Sequence, residues 1–227
     1  MTAVFCTSAP AFAAAGTGVP WVDGIGIQPF DSRAELTREQ VTDQHFKKGR
    51  QLYEQARAYE SRAQDAGTDG KRTRLLERAF RRYRASAESY AASARRLEED
   101  GREVDYLPQL YSEMGDALYK TRQHDRASHA YSRATEVAPA FLNGHYGLAR
   151  SGLARGALEV VQDEFSWLVR EAETRAEAWS RVDALVELIN AWRDSNTDQT
   201  ENATGFLVWF DQQQTALADT VRWTLLE

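Results

Sequence analysis

The sequence predicts an all-α protein built from packed helical hairpins. Its 227 residues include only 5 prolines and 14 glycines, and these cluster towards the N-terminus, which favours long helices over strands and tight turns. Apolar residues recur at steps of three and four, the spacing that keeps them on one face of a helix. One stretch, GDALYKTRQHDRASHAYSRATEVAP at residues 115–139, carries small residues, aromatics and a closing proline at offsets that return further along the chain.

Residues 1–15 are small and mostly apolar, and they contain Ala11-Phe12-Ala13, the A-x-A pattern of a signal-peptide cleavage site. We therefore expect a signal-peptide remnant and a periplasmic or secreted protein. No Lys or Arg precedes Arg33, so an Ala-rich tail on a cytoplasmic protein is the alternative. Cleavage would remove Cys6, the single cysteine of the chain.

The next segment, residues 16–36, is rich in glycine and proline, and we expect an extended strap. Its apolar residues Trp21, Ile25, Ile27 and Phe30 favour a lid laid on the helical body. A docking peptide for another protein is the alternative.

Residues 37–105 predict a long helical hairpin. Thr37-x-x-Gln40 is a capping box, which satisfies the free amides of a helix start. The turn falls at residues 66–70, and a second helix is expected over 71–99. Two apolar seams are predicted to pack together, one with Phe46, Tyr53, Ala56, Tyr59 and Ala63, the other with Leu76, Phe80, Tyr83, Ala87, Tyr90, Ala94 and Leu97.

Residues 106–227 predict shorter hairpins with a 34-residue period. The landmarks of the first unit are Tyr111, Met114, Gly115, Leu118, Ala127, Tyr131, Ala134 and Pro139. Gly115 and Ala127 are expected to be small because two helices cross there, with Tyr131 filling the gap beside them. A shift of 34 reaches Leu148, Ala149, Val161, Phe165 and Leu168, and a second shift reaches Trp179 and Val182. Gln199 occupies the position where the third unit should have its aromatic residue, so we expect a polar loop over 193–204 instead. A capping helix is expected from Gly205, and its apolar side carries Phe206, Phe210, Leu217, Val221 and Leu225.

These landmarks resemble the tetratricopeptide repeat family, whose unit follows W-x2-L-G-x2-Y, then A-x3-F, then P. The resemblance is best over 108–141 and weaker to 192. It implies a right-handed α-solenoid whose first helices line a concave groove. It also implies a non-enzymatic adaptor, scaffold or assembly factor that holds a partner protein there as a peptide or a helix.

The groove positions carried over from the family lie on the first helix of each unit. They are Gln109, Ser112, Glu113, Asp116, Lys120, Asn143, Tyr146, Arg150, Glu177 and Arg181. Tyr146 and Arg150 lie one turn apart in the middle unit, and residues of these types often dominate binding energy. We therefore expect them to contribute most to partner capture.

The residues that carry chemistry give no sign of a catalytic, metal or cofactor site. The four histidines, His45, His124, His129 and His145, lack metal-ligand spacing. No Gly-rich phosphate loop and no nucleophile with a recognisable base occurs. We expect no enzyme activity and no cofactor.

The charge is unevenly distributed along the chain, although the formal net charge is −6. Residues 71–84 hold seven basic residues and one acidic residue, whereas residues 171–227 hold eleven acidic residues and four arginines. One interpretation of 71–84 is a solvated helix face that pairs with the acidic helices, including those of a second copy. A binder of anionic lipid or nucleic acid through 71–84 is the other interpretation. For the protein as a whole, this binder and a structural subunit of a larger complex are the alternatives to an adaptor. Because the whole chain is acidic, we expect no nucleic acid and only peripheral contact with membranes.

Overall fold

A computed structural model describes residue 40, residues 43–195 and residues 201–224. The described part of the chain is helical and contains no β-strand, which confirms the all-α prediction. Its helices are α1 Gln44–Gln64, α2 Asp69–Glu99, α3 Leu107–Lys120, α4 His124–Val137, α5 Leu142–Arg155, α6 Leu158–Ala172, α7 Ala176–Ser195 and α8 Glu201–Thr224. The expected signal remnant at 1–15 and the strap at 16–36 lie outside the described residues.

Helix α1 begins at Asp43, whose carboxylate accepts hydrogen bonds from the backbone N–H groups of His45 and Phe46, both at 2.9 Å. The same carboxylate accepts from Tyr106 at 3.0 Å and from the Ser93 hydroxyl. Burial raises the pKa of Asp43, but these four hydrogen bonds outweigh it and hold the pKa below its usual value. Asp43 therefore caps this helix, and Thr37 of the predicted capping box lies outside the described residues.

The first two helices form the predicted long hairpin, and most of its two apolar seams are buried. Leu76 and Phe80 are exceptions, with 43% and 44% of their surface exposed. Helix α3 has 14 residues against the 31 of α2, so it covers only the later part of α2. The first turns of α2 therefore lack this second neighbour, and the prediction that Leu76 and Phe80 lie in the seam is wrong.

Shorter helices follow, and each of α3 to α6 packs on the next one along the chain. Helix α7 contacts α8 through the rings of Trp192 and Phe206. In addition, α3 contacts α5, α5 contacts α7, and α6 contacts α8. The core residues fall into three clusters along the chain, the last of which joins α5, α6, α7 and α8. The landmarks Ala127, Tyr131, Ala149, Val161, Phe165 and Leu168 all have 0% exposure.

The last two helices differ from the prediction in where they begin and end. Helix α7 continues to Ser195 and α8 begins at Glu201, so the predicted loop over 193–204 is shorter and the capping helix starts before Gly205. Helix α7 has 20 residues, whereas α5, the first helix of the preceding unit, has 14. The aromatic residues that close the core therefore come later in the sequence than the 34-residue period predicts, at Phe206 and Phe210. Leu217 packs on the same cluster. The predicted packing of the Val221 and Leu225 side chains lies outside the described residues.

Among the described helices, none combines the length and apolar character needed to cross a lipid bilayer.

Candidate functional site

Polar side chains link the odd-numbered helices α1, α3, α5 and α7 directly to one another. We call this set the polar ladder. Its links are Lys120–Glu60 at 3.3 Å, Arg50–Glu113 at 3.8 Å, Arg150–Asp116 at 2.5 Å and Arg181–Asn143 at 2.9 Å. The first two links join α1 to α3, the third joins α3 to α5, and the fourth joins α5 to α7.

The spacing of the ladder residues explains why they meet. Glu113, Asp116 and Lys120 follow one another at steps of three and four in α3, so they share one face of that helix. Tyr146 and Arg150 are four apart in α5 and share a face in the same way. Helices that pack side by side bring these faces together.

The centre of the ladder is a buried cluster around Asp116. The Tyr131 hydroxyl donates to Asp116 Oδ1 at 2.6 Å, and Arg150 Nη2 donates to both the carboxylate and the Tyr131 oxygen at 2.5 Å. The Arg150 guanidinium carbon lies 4.1 Å from the ring centroid of Tyr119 and 5.5 Å from that of Tyr146, within the range of a cation–π contact. Three tyrosines and one carboxylate therefore hold the guanidinium in place.

This cluster shows how burial and pairing act on charge. Burial raises the pKa of Asp116, and Arg150 only partly offsets that rise. Burial also lowers the pKa of Arg150, but the neighbouring tyrosine oxygens and Asp116 outweigh it and hold the pKa above its usual value. Within the described part of the chain, Asp116 Oδ2 and Arg150 Nε are buried without a hydrogen-bond partner. The interaction between the two side chains is thus essential to keeping either charge in the core.

A second buried carboxyl group, Glu113, lies at the junction of α1, α2 and α3. Its Oε2 accepts from the Tyr90 hydroxyl at 2.6 Å, and its Oε1 accepts from Gln109 Nε2 at 2.7 Å. Gln40 in turn donates to Gln109 Oε1 at 2.8 Å. Burial raises the pKa of Glu113 to about 7, although Tyr90, Arg50 and Gln109 oppose the shift.

The ten predicted groove residues divide into two groups. Ser112, Glu113, Asp116 and Tyr146 are buried, and only 11% of the Arg150 side chain is exposed. Gln109, Lys120, Asn143 and Arg181 are half-buried, and Glu177 is exposed and paired with Arg175 at 2.6 Å. The buried group packs between helices. The role of Tyr146 and Arg150 in partner capture stays a prediction, and the burial of their side chains is an argument against it.

Sequence reasoning missed the contribution of α1 to the ladder, namely Arg50 and Glu60. A signal was present at Gly49. A Cβ on Gly49 would lie 2.6 Å from Cε1 of Tyr90, and a Cβ on Gly115 would lie 2.6 Å from Cε1 of Tyr131. The N-terminal hairpin thus repeats the glycine–tyrosine contact of the first short unit. Gly49 and Tyr90 are 41 residues apart, whereas Gly115 and Tyr131 are 16 apart. Because the spacings differ, the 34-residue period does not reveal the contact between Gly49 and Tyr90.

His145 is the histidine most tightly held within the fold. Its ring stacks on Trp167 with centroids 3.5 Å apart, while Nδ1 lies 2.6 Å from a Glu164 oxygen and Nε2 lies 2.8 Å from the Pro139 carbonyl oxygen. These contacts join α5 to α6 and to the turn before α5. Among the described residues, no group of three or more His, Cys, Asp or Glu side chains is placed to hold a metal ion.

Compared with models of protein families, with curated proteins and with solved structures, the chain matches none of them. The function is therefore inferred from the geometry of the polar ladder and of the exposed helix faces.

Proposed function

We propose that the protein is a non-enzymatic interaction module, a right-handed α-solenoid of tetratricopeptide-like hairpins that binds a partner protein on the face formed by α1, α3, α5 and α7. The observation that supports this most is the polar ladder. Its four links run from α1 to α7 and hold these helices side by side. A surface that draws side chains from four helices suits a partner helix or an extended peptide laid across them.

The residues available to a partner on this face are the partly exposed ones. They are Gln109, Lys120, Asn143, Glu177 and Arg181. Lys120 keeps 22% of its side chain exposed beside the 15% of Glu60, so this ion pair sits at the boundary between core and solvent. The set carries both signs of charge and two amide groups, those of Gln109 and Asn143. We therefore propose a partner segment of mixed charge, recognised mainly by hydrogen bonds and ion pairs.

Site-specific photocrosslinking in cells of the source organism tests the binding face. A photoreactive amino acid is placed at position 109, 143 or 181 on the ladder face. The matched controls are positions 129 and 163, which are exposed on α4 and α6. We expect one protein to crosslink from the ladder positions and not from the controls.

Two other results would redirect the proposal. Crosslinks from α4 and α6 as strong as those from the ladder face would favour a structural subunit enclosed by a larger complex. The photoreactive amino acid is also placed at position 78 in α2; crosslinks obtained only there would show that the partner contacts α2, and the ladder face would then not be the binding surface.

We also propose that the protein acts outside the cytoplasm, on the basis of the A-x-A pattern at Ala11 and Ala13. N-terminal sequencing of the native protein tests this directly. The expected start lies near Ala14 or Gly16, whereas an intact Met1 or Thr2 would contradict export through this signal.

A further inference from the structure

Helix α2 carries a row of five basic side chains on its solvent face. The row consists of Lys71, Arg74, Arg78, Arg81 and Arg82, and we call it the basic stripe. Steps of three and four residues keep these side chains on one side of the helix. All five are exposed, and none of them forms an ion pair or a side-chain hydrogen bond in the described part of the chain. Pairing with acidic helices of the same chain, one of the sequence-based interpretations, is therefore not what the described residues show.

Helix α7 carries a row of the opposite sign. Asp183, Glu187 and Asp194 follow at steps of four and seven, which again places them on one side of the helix. We call these three residues the acidic stripe. Each is exposed, and none has an ion pair or a side-chain hydrogen bond among the described residues. The neighbouring Arg193 does not neutralise them, since it binds Asp211 at 3.0 Å.

The two stripes have the same length. Residues 71 and 82 are as far apart in α2 as residues 183 and 194 are in α7, which corresponds to about 16 Å along each helix axis. If the two helices lie antiparallel, one register places every carboxylate opposite a base. That register pairs Lys71 with Asp194, Arg78 with Glu187, and Arg82 with Asp183.

Each stripe is also unfavourable when it stands alone. Like charges at i and i+4 repel one another on a helix surface, as Arg78 and Arg82 do in α2 and Asp183 and Glu187 do in α7. An opposite stripe brought alongside turns this repulsion into attraction and raises the rate of encounter. Complementary charge, equal length and matched register thus favour contact between the two stripes.

We propose that the basic stripe of one molecule binds the acidic stripe of a second copy of this chain. The contact joins two different surfaces, so a bound pair still offers one free stripe of each sign, one on each copy, to further copies. The result is head-to-tail association that weakens as salt is added, because exposed charges are screened. This association does not depend on the partner proposed for the polar ladder.

A second copy fits the basic stripe better than a phosphate polymer or an anionic membrane does. It supplies carboxylates at the matching spacing, whereas the eleven acidic residues of 171–227 would repel a polyanion. The exposed Leu76 and Phe80 do not extend the basic stripe, because their positions place them on the opposite side of α2. The apolar side chain that does adjoin the basic stripe, Leu75, is half-buried beside Lys71, Arg74 and Arg78, so it does not project as a side chain that inserts into a bilayer would.

The test is sedimentation of the full chain at increasing protein concentration, between about 50 mM and about 500 mM NaCl. The first variant carries Arg78→Glu and Arg82→Glu, and the second carries Asp183→Lys and Glu187→Lys. The control for the first variant changes the same amount of charge at two other exposed positions, Arg102→Glu and Arg170→Glu. Circular dichroism establishes that each variant keeps its helices.

We expect the wild type and the control to associate at low salt, and each stripe variant to stay at the mass of one chain, 25.6 kDa. Mixing the two stripe variants at equal concentration restores both kinds of contact. Arg78 and Arg82 of the second variant face Asp183 and Glu187 of the first, and the two substituted stripes also carry opposite charge. The mixture therefore associates, with the two variants alternating along the assembly. One chain that carries all four substitutions associates again, because the charges have exchanged places.

Three results would overturn the proposal. They are a wild type that stays monomeric at low salt, association that survives in both stripe variants, and a four-fold variant that stays monomeric although it is folded.

Vesicles containing phosphatidylglycerol and a single-stranded oligonucleotide are tested in parallel with the wild type. Capture of either by a monomeric wild type, lost on Arg78→Glu and Arg82→Glu, would assign the basic stripe to a polyanion instead.

Discussion

Tyr131 of α4 lies directly against the backbone of Gly115 in α3. A Cβ atom on Gly115 would sit 2.6 Å from Cε1 of the ring, a distance that real side chains do not tolerate. Gly147 of α5 approaches the same ring, since a Cβ atom there would also collide with Cδ1 and Cε1 of Tyr131. One aromatic ring thus sets the separation of three helices, as the pairing of Gly115 with Tyr131 in the sequence predicts.

Gly115→Ala is expected to lower the free energy of unfolding by about 1–3 kcal/mol, because the added methyl group must displace the Tyr131 ring or separate the helices. Urea denaturation measures this change. The matched control is Gly70→Ala in α2, where a Cβ meets no atom within 4 Å. There the better helix propensity of alanine should leave stability unchanged or raise it by up to about 1 kcal/mol. Equal effects of the two substitutions would contradict close packing at Gly115.

The hydroxyl of Tyr131 can be tested separately from its ring. Tyr131→Phe keeps the ring but removes the donor to Asp116 and the acceptor for Arg150. A loss of about 1–3 kcal/mol is expected, since buried polar groups are left without partners. In Tyr111→Phe, the lost hydrogen bond leads to Glu98, an exposed residue that water can solvate. This control should cost less than Tyr131→Phe in the same urea experiment, and a reversed order would count against a buried cluster.

The sequence predicted those parts of the fold that depend on local side-chain size. Gly115, Ala127 and Tyr131 are small or aromatic at fixed offsets within one hairpin, so their contact is visible in a short stretch. The match between Gly49 and Tyr90 was missed, because the longer helices α1 and α2 separate the two residues by 41 positions and no fixed period reaches across them.

The ladder residues of α3, α5 and α7 were predicted as groove positions, but the burial of Glu113, Asp116 and Arg150 and the contribution of α1 were not predicted. Charged residues such as Glu113 and Asp116 at family groove positions favour an exposed site when the sequence is considered alone. Their burial depends on partners in other helices, Arg50 for Glu113 and Arg150 for Asp116, which lie 63 and 34 residues away. No local pattern marks such pairs. Only the packing of the helices shows that these carboxyl groups stabilise the fold internally.

Glu113 should make stability depend on pH near neutrality. Burial raises its pKa to about 7 in the folded chain, against 4.5 for an ordinary Glu. The folded state therefore holds the proton more tightly than the unfolded state does. The resulting stabilisation is fully present below about pH 4.5 and is lost as the pH rises through about 7.

The measurement is urea denaturation of the wild type and of Glu113→Gln at pH 5, 6, 7 and 8. Relative to the variant, the wild type should lose about 2–3 kcal/mol between pH 5 and pH 8. Glu136→Gln is the control, because hydrogen bonds from Arg133 and Ser132 lower the pKa of Glu136 and move its titration below this range. A difference between wild type and Glu113→Gln that stays constant with pH would exclude a titrating Glu113.

The pair Asp116 and Arg150 should behave as one unit when both residues are replaced. Asp116→Asn leaves the guanidinium of Arg150 without its carboxylate, and Arg150→Met leaves the carboxylate of Asp116 without its cation. Each single substitution is expected to cost about 3–5 kcal/mol, because a buried charge loses its partner. The double variant should cost less than the sum of the two, with a coupling energy of about 1–3 kcal/mol.

The matched control pair is Arg155 and Asp125, which are 2.8 Å apart with Asp125 89% exposed. The same double-mutant cycle at this pair should give a coupling energy of less than about 1 kcal/mol. Urea denaturation of all variants gives both cycles. Additive losses at Asp116 and Arg150 would mean that the two charges do not depend on each other, and the polar ladder would then lose the link between α3 and α5.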